Sequence, residues 1–165
     1  MTVVADSSPL IIFAKLRCFD LLHRLYPRIN ISPEVYREVV VDGAGLPGAS
    51  EVAQAEWIEV KPLQNRGGLL ELQQRFPLGL GEVSTILLGK EILADAVLLD
   101  EYNARKLARE KGLEVRGSVG LLETLYRRGY LADLRAVFQQ LLTHDVYIDR
   151  RLLLHRLRSL SLPPL

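Results

Sequence analysis

The side chains able to do chemistry in this sequence are carboxylates. Four acids stand out, Asp6, Glu38, Glu82 and Asp100; three follow apolar or glycine-containing runs, Val3-Val4-Ala5 before Asp6, Leu98-Leu99 before Asp100 and Gly79-Leu80-Gly81 before Glu82, and Glu38 lies among valines. Singly, each has a structural reading. Asp6 and Asp100 suit strand-end turns or helix caps, Glu82 suits a first helical turn facing the helix dipole, and Glu38 suits a solvated face. Together these readings weaken. Ser8, followed by Pro9, is the better-placed N-cap, which leaves Asp6 without that duty. Glu34 and Glu38 lie four apart on one helix face, a like-charge pair costing about 0.2–0.5 kcal/mol. Valines 35, 39, 40 and 41 around Glu38 disfavour a bare carboxylate. A bound cation would relieve both costs. Oxygen donors without nearby Cys or His suit Mg²⁺ or Mn²⁺, ions that activate water and stabilise a leaving oxygen at a phosphoryl centre.

The elements that must position these acids alternate. Val3-Val4-Ala5, Arg28–Ile31, Trp57–Val60, Ala96–Leu99 and Leu113–Val115 read as strands, the third as an exposed edge. Between them the pattern predicts helices from Ser8-Pro9, over Asp20–Tyr26, and from Ser32-Pro33 through Val40. Further helices are expected around Ser50–Glu56, from Gly79 to about Leu93, over Glu101–Lys111 with Gly112 closing it, and over Val119–Arg128 after a Gly117-Ser118 cap. Gly43–Gly48 is a glycine-rich loop. Strands alternating with helices imply an α/β fold, a mostly parallel central sheet with helices on both faces, in which ligands bind beyond the carboxyl ends of the strands. Asp6 and Asp100 fall at two such ends.

The same segments resemble PIN-domain nucleases, notably a prokaryotic branch opening D-[ST]-S-P-L-I and including VapC-like toxins. Val3 to Ile11 is similar to that opening, Ile31 to Val39 to the second segment, and Gly79-Leu80-Gly81-Glu82 to a G-x-G-E helix start. Leu98-Leu99-Asp100-Glu101 with Ala104-Arg105 looks like L-L-D-[DE]-x-x-A-R, and Gly117-Ser118-Val119-Gly120 like a G-[TS]-x-G turn. The resemblance spans residues 3–122 and implies a PIN-like, Rossmann-like three-layer α/β/α fold. It also implies a site for Mg²⁺ or Mn²⁺ on Asp6, Glu38, Glu82 and Asp100, ribonuclease activity on single-stranded RNA, and in many relatives pairing with an antitoxin. Where many relatives carry a second aspartate this chain has Glu101, so the fourth ligand stays open between Asp100 and Glu101. Ser8, Glu101, Arg105 and Ser118 are possible supporting residues. Arg105 suits a phosphate contact, although Glu101–Arg105 is also a favourable i,i+4 pair and is the preferred reading.

Composition sets the outer bounds. The 165 residues fit one domain, 48% of them are hydrophobic, and 33 are leucines, so a sizeable core is available. A formal net charge of +1 announces no polyanionic partner by itself. It hides a gradient, however: residues 1–115 carry 13 Lys+Arg against 16 Asp+Glu, whereas residues 116–165 carry 8 arginines against 4 acids. One cysteine excludes an internal disulfide framework. The chain has no apolar run of the ~18 residues a membrane span needs and no basic leader at its start, so a cytoplasmic protein is expected. Leucines after residue 118 look more numerous than one core needs, which predicts a homodimer, and the amphipathic Arg150–Arg158 is a candidate surface for that interface or for an antitoxin peptide. Trp57 and the tyrosines form no basic-aromatic alternation along the chain. An aspartate-nucleophile phosphatase would need an acid where Ser8 stands, and a receiver domain would need an early acidic pair; neither is present. The non-enzymatic alternative is a PIN-like interaction module whose acids hold no metal.

Overall fold

Strand alternation divides the apolar residues between two cores. In the computed structural model, which describes residues 1–165, five strands form one fully parallel sheet. They are β1 (Val3–Ala5), β2 (Ile29–Ile31), β3 (Ile58–Val60), β4 (Ala96–Leu98) and β5 (Val115–Arg116), in spatial order β3-β2-β1-β4-β5. β1 pairs in register with β4, Val3 opposite Ala96 and Ala5 opposite Leu98. Val3, Ala5, Ile29, Ile31 and Leu98 belong to the larger core. Val4, Val97 and Leu99, one residue out of phase, belong to the smaller one. All of them are fully buried, as near-continuous apolar runs in a parallel sheet require. β3 is the exposed edge that its sequence predicts.

The helices are α1 (Ser7–Lys15), α2 (Asp20–Leu25), α3 (Pro33–Tyr36), α4 (Ala49–Gln54), α5 (Gly67–Arg75), α6 (Leu80–Glu91), α7 (Tyr102–Glu110), α8 (Ser118–Arg127), α9 (Leu134–Thr143) and α10 (Arg150–Ser159). Residues of α1, α2 and α8–α10 fill the larger core, and residues of α5–α7 fill the smaller. The predicted cap at Ser32 is present, its Oγ accepting the Val35 N–H at 3.1 Å. That at Ser8 is not. α1 begins at Ser7, so Asp6 holds the cap position, although its side chain makes no capping hydrogen bond. The expected single helix after Ser32 is α3 followed directly by a π-helical turn, Arg37–Val41.

Two features read as partner surface are engaged within the chain. The leucines after residue 118 are not surplus: Leu121, Leu122, Leu125, Leu134 and Leu141 are buried within the chain, leaving the homodimer without that warrant. The arginine-rich end is likewise docked. Leu153 and Leu157 of α10 are fully buried, and Glu123 of α8 pairs with both Arg127 (2.9 Å) and Arg156 (3.3 Å), fastening α10 to α8. No helix is long and apolar enough to cross a membrane.

Candidate functional site

β1 lies between β2 on one side and β4 on the other, so the chain reverses its direction of winding at the β1–β4 boundary. A parallel sheet opens a crevice at such a point, beyond the carboxyl ends of the strands. Asp6 leaves β1 there, its N–H donating to the Leu98 carbonyl at 3.0 Å, and Asp100 leaves β4 after Leu99. A cavity of about 1370 Å³ opens over them. Asp6, Glu38, Glu82 and Asp100 all line it, as do the predicted supporting residues Ser8, Glu101 and Arg105. Ser118 reaches the same place through Asp100. The fold thus gathers at one cavity acids and supporting residues that lie up to 112 positions apart in sequence, from Asp6 to Ser118.

Asp6 is the buried member, only 4% exposed, and its Oδ1 has no hydrogen-bond partner. Its carboxyl is pushed up from 3.8 to about 8, chiefly by burial and further by the negative charges of Glu82, Glu38 and Asp100, against a lowering hydrogen bond from Ser7. A buried oxygen without a partner is costly unless something positive fills the gap. Glu82 is also raised, first by burial and then by Glu101 and Glu38, while its Oε2 accepts the Gly79 N–H at 3.0 Å.

Glu38 sits on the π-helical turn, a distortion that recurs at functional sites because it re-aims one side chain. Its Oε2 accepts the Ser7 hydroxyl at 2.5 Å and its Oε1 the Gly81 N–H at 3.1 Å. The carboxylate thus sits over the first turn of α6, where the helix dipole favours negative charge. Gly81 is a place where a side chain would intrude, because a Cβ there would stand 2.7 Å from Glu38 Oε2. The two sequence arguments for Glu38 do not hold: the residue is exposed rather than enclosed by valines, and Glu34 is buried in an ion pair with Arg66. What marks Glu38 is the pair of donors converging on it.

Asp100 is held by serines on both sides. Ser118 donates its N–H to Oδ1 at 2.7 Å and its hydroxyl to Oδ2 at 2.6 Å, and Ser8 Oγ reaches Oδ2 at 3.1 Å. Ser8 and Ser118 are therefore positioning residues for Asp100 rather than caps. Glu101 does cap, its Oε2 accepting the Ala104 N–H at 2.7 Å at the start of α7. Arg105 does not pair with it as expected. Its guanidinium instead donates to the Leu99 carbonyl at 3.0 Å and lies over Gly117, where a Cβ would overlap it. Burial and the neighbouring Arg109 lower the Arg105 pKa, and Asp100 acts against them. Ser7 carries no signal in the sequence pattern, and the motif glycines Gly81 and Gly117 show their roles beside Glu38 and Arg105 only in the fold.

The carboxylates line one cavity without forming a ready-made cluster of three ligands. The donor set nevertheless fits a hard divalent cation. It is all oxygen, and its buried member has an unpartnered atom and resists ionisation among like charges.

A family model described as DUF3368: PIN domain matches residues 2–161. The chain belongs to the PIN-domain family. PIN domains are typically nucleases and generally use divalent metal ions, and the parallel sheet flanked by helices is the PIN-like α/β arrangement. Among solved structures, a PilT N-terminus domain protein from the hyperthermophilic archaeon Sulfolobus solfataricus P2 is similar, with a TM-score of 0.49 and 14% identity. That match covers 75% of this chain and 92% of the other. No curated protein matches the chain.

Proposed function

We infer that this PIN domain is a divalent-metal-dependent endoribonuclease that hydrolyses phosphodiester bonds of single-stranded RNA. The observation that carries the reading is Asp6: a buried carboxyl with an unpartnered Oδ1, at the switch point of a parallel sheet, among three further acids. Asp6, Glu38, Glu82 and Asp100 would hold Mg²⁺ or Mn²⁺. When bound, such an ion supplies an activated water and charge stabilisation at the scissile phosphate. The protein's own contribution is orientation. Ser7 and the Gly81 N–H fix both oxygens of Glu38, and Ser118 with Ser8 fixes those of Asp100, so neither carboxylate must be ordered when substrate arrives. Arg105, on the cavity wall beside Asp100, is placed to meet a phosphate oxygen. A cavity of about 1370 Å³ exceeds the roughly 300–1,000 Å³ of small-molecule sites and suits a polymer strand.

Calorimetric titration of Mn²⁺ in two buffers of different ionisation heat tests the site. Binding should release a proton from the crowded acids, so the apparent enthalpies should differ. No binding at millimolar Mn²⁺, with no cleavage of single-stranded RNA, would leave the domain an interaction module instead.

A further inference from the structure

The chain has six tyrosines, and four have structural employment. Tyr26 is buried and accepts a hydrogen bond from Arg116 at 2.9 Å, Tyr36 and Tyr126 pack against the larger core, and Tyr130 lies under the Arg24 guanidinium. The other two, Tyr102 and Tyr147, are respectively 75% and fully exposed. They stand far apart in sequence, Tyr102 opening α7 and Tyr147 between α9 and α10, yet both line the cavity that holds the acids. Arg105, Arg116 and Arg128 line it as well.

Resting on the nuclease reading above, we propose that Tyr102 and Tyr147 are base-stacking residues that hold single-stranded RNA along the cavity and determine its selectivity against duplex. An exposed phenol ring gains nothing from water, but every unpaired base offers a π-face on which it can stack. The guanidiniums on the same walls take the backbone phosphates, so the cavity presents both parts of a single-strand site. A duplex buries its base faces in its own stack and offers these rings nothing. The two rings come from segments 45 positions apart, so no aromatic-basic alternation shows along the chain.

The test measures affinity of the full chain for a fluorescein-labelled twelve-nucleotide RNA by anisotropy. Ca²⁺ is used as a hard cation for the carboxylates, with intact RNA verified afterwards, and KM for cleavage is measured in parallel in Mn²⁺. Tyr102→Ala and Tyr147→Ala should each weaken single-strand binding and raise KM by about tenfold, within the range of one lost base stack. Tyr102→Phe and Tyr147→Phe should restore both, and the salt dependence should not change, because the phosphate contacts remain. Ala variants that bind and cleave like the parent, Phe variants that fail to rescue, or an equal loss on duplex RNA would each overturn the stacking proposal while leaving the nuclease reading intact. A parent that neither binds nor cleaves RNA would overturn both.

Discussion

Replacing Asp6 by Asn should make the metal-free protein more stable, and increasingly so as pH rises. The Asp6 carboxyl titrates at about 8 in the folded chain against an ordinary 3.8, so folding favours its neutral form. The sign follows from linkage. Below pH ~4 the group is neutral in both states and contributes nothing. Between ~4 and ~8 the unfolded chain ionises while the folded one stays protonated, and stability falls steadily. One pKa unit is worth about 1.4 kcal/mol, so the cost approaches about 6 kcal/mol once pH passes 8, a large share of a typical 5–15 kcal/mol. Glu82, raised in the same direction, adds to the trend. Asn is neutral and nearly isosteric, so the variant should gain about 4 kcal/mol on the parent between pH 5 and pH 9. The assay is urea unfolding of both proteins in EDTA across that range. Adding Mn²⁺ at a hundred times its dissociation constant should return about 2.7 kcal/mol to the parent and nothing to the variant. Parallel pH profiles for the two proteins in EDTA would mean that Asp6 ionises freely where it sits and that burial does not hold its carboxyl neutral.

Other perturbations separate positioning from folding. Gly81→Ala adds a Cβ 2.7 Å from Glu38 Oε2 without demanding a forbidden backbone angle; thermal unfolding should be unchanged or improved while Mn²⁺-dependent cleavage falls at least tenfold. Arg66→Ala strips the partner from buried Glu34 and should cost about 2 kcal/mol by urea unfolding. Cleavage should persist, which distinguishes Glu34 from Glu38. If the chain is a toxin with a cognate antitoxin, its induced expression should arrest growth, and co-expression of an adjacent small open reading frame should restore it. Growth unaffected by the active protein would contradict that role. Light scattering at ~100 μM should give twice the chain mass if the homodimer forms, because that concentration populates even a micromolar interface; a monomer would rule it out.

What the sequence disclosed was set by local chemistry. Val3-Val4-Ala5 and Ala96–Leu98 are apolar on both sides because a central parallel strand is covered on both faces, so their ends, and the acids at those ends, could be read directly. Ser32-Pro33 announced a helix start for equally local reasons. Helix α5 was not anticipated, since Gly67-Gly68 and a mostly polar remainder hide a face that only Leu69 and Leu72 bury. At Ser8 propensity misled: the cap rule holds on average, but here the hydroxyl is spent on Asp100, ninety-two positions away. Arg105 departs from the i,i+4 rule for a nearer reason: it turns back to the Leu99 carbonyl, six positions upstream just past the end of β4, instead of to Glu101. Donors to Glu38 and Asp100 come from other segments of the chain, and no window of sequence contains them. The inference of surplus leucines failed because three C-terminal helices belong to the larger core.

Whether these carboxylates carry metal-dependent RNA hydrolysis is decided by a side-by-side comparison of variants. Parent, Asp6→Asn, Glu82→Gln and Asp100→Asn are assayed side by side on single-stranded RNA in Mn²⁺, with Glu114→Gln, an exposed residue outside the cavity, as control. Parent and control should cleave, with activity abolished by EDTA, and each site variant should lose at least a hundredfold, equivalent to ~3 kcal/mol of transition-state stabilisation. Undiminished cleavage by the well-folded Asp6→Asn protein, with contaminating nuclease excluded, would contradict that role for the carboxylates.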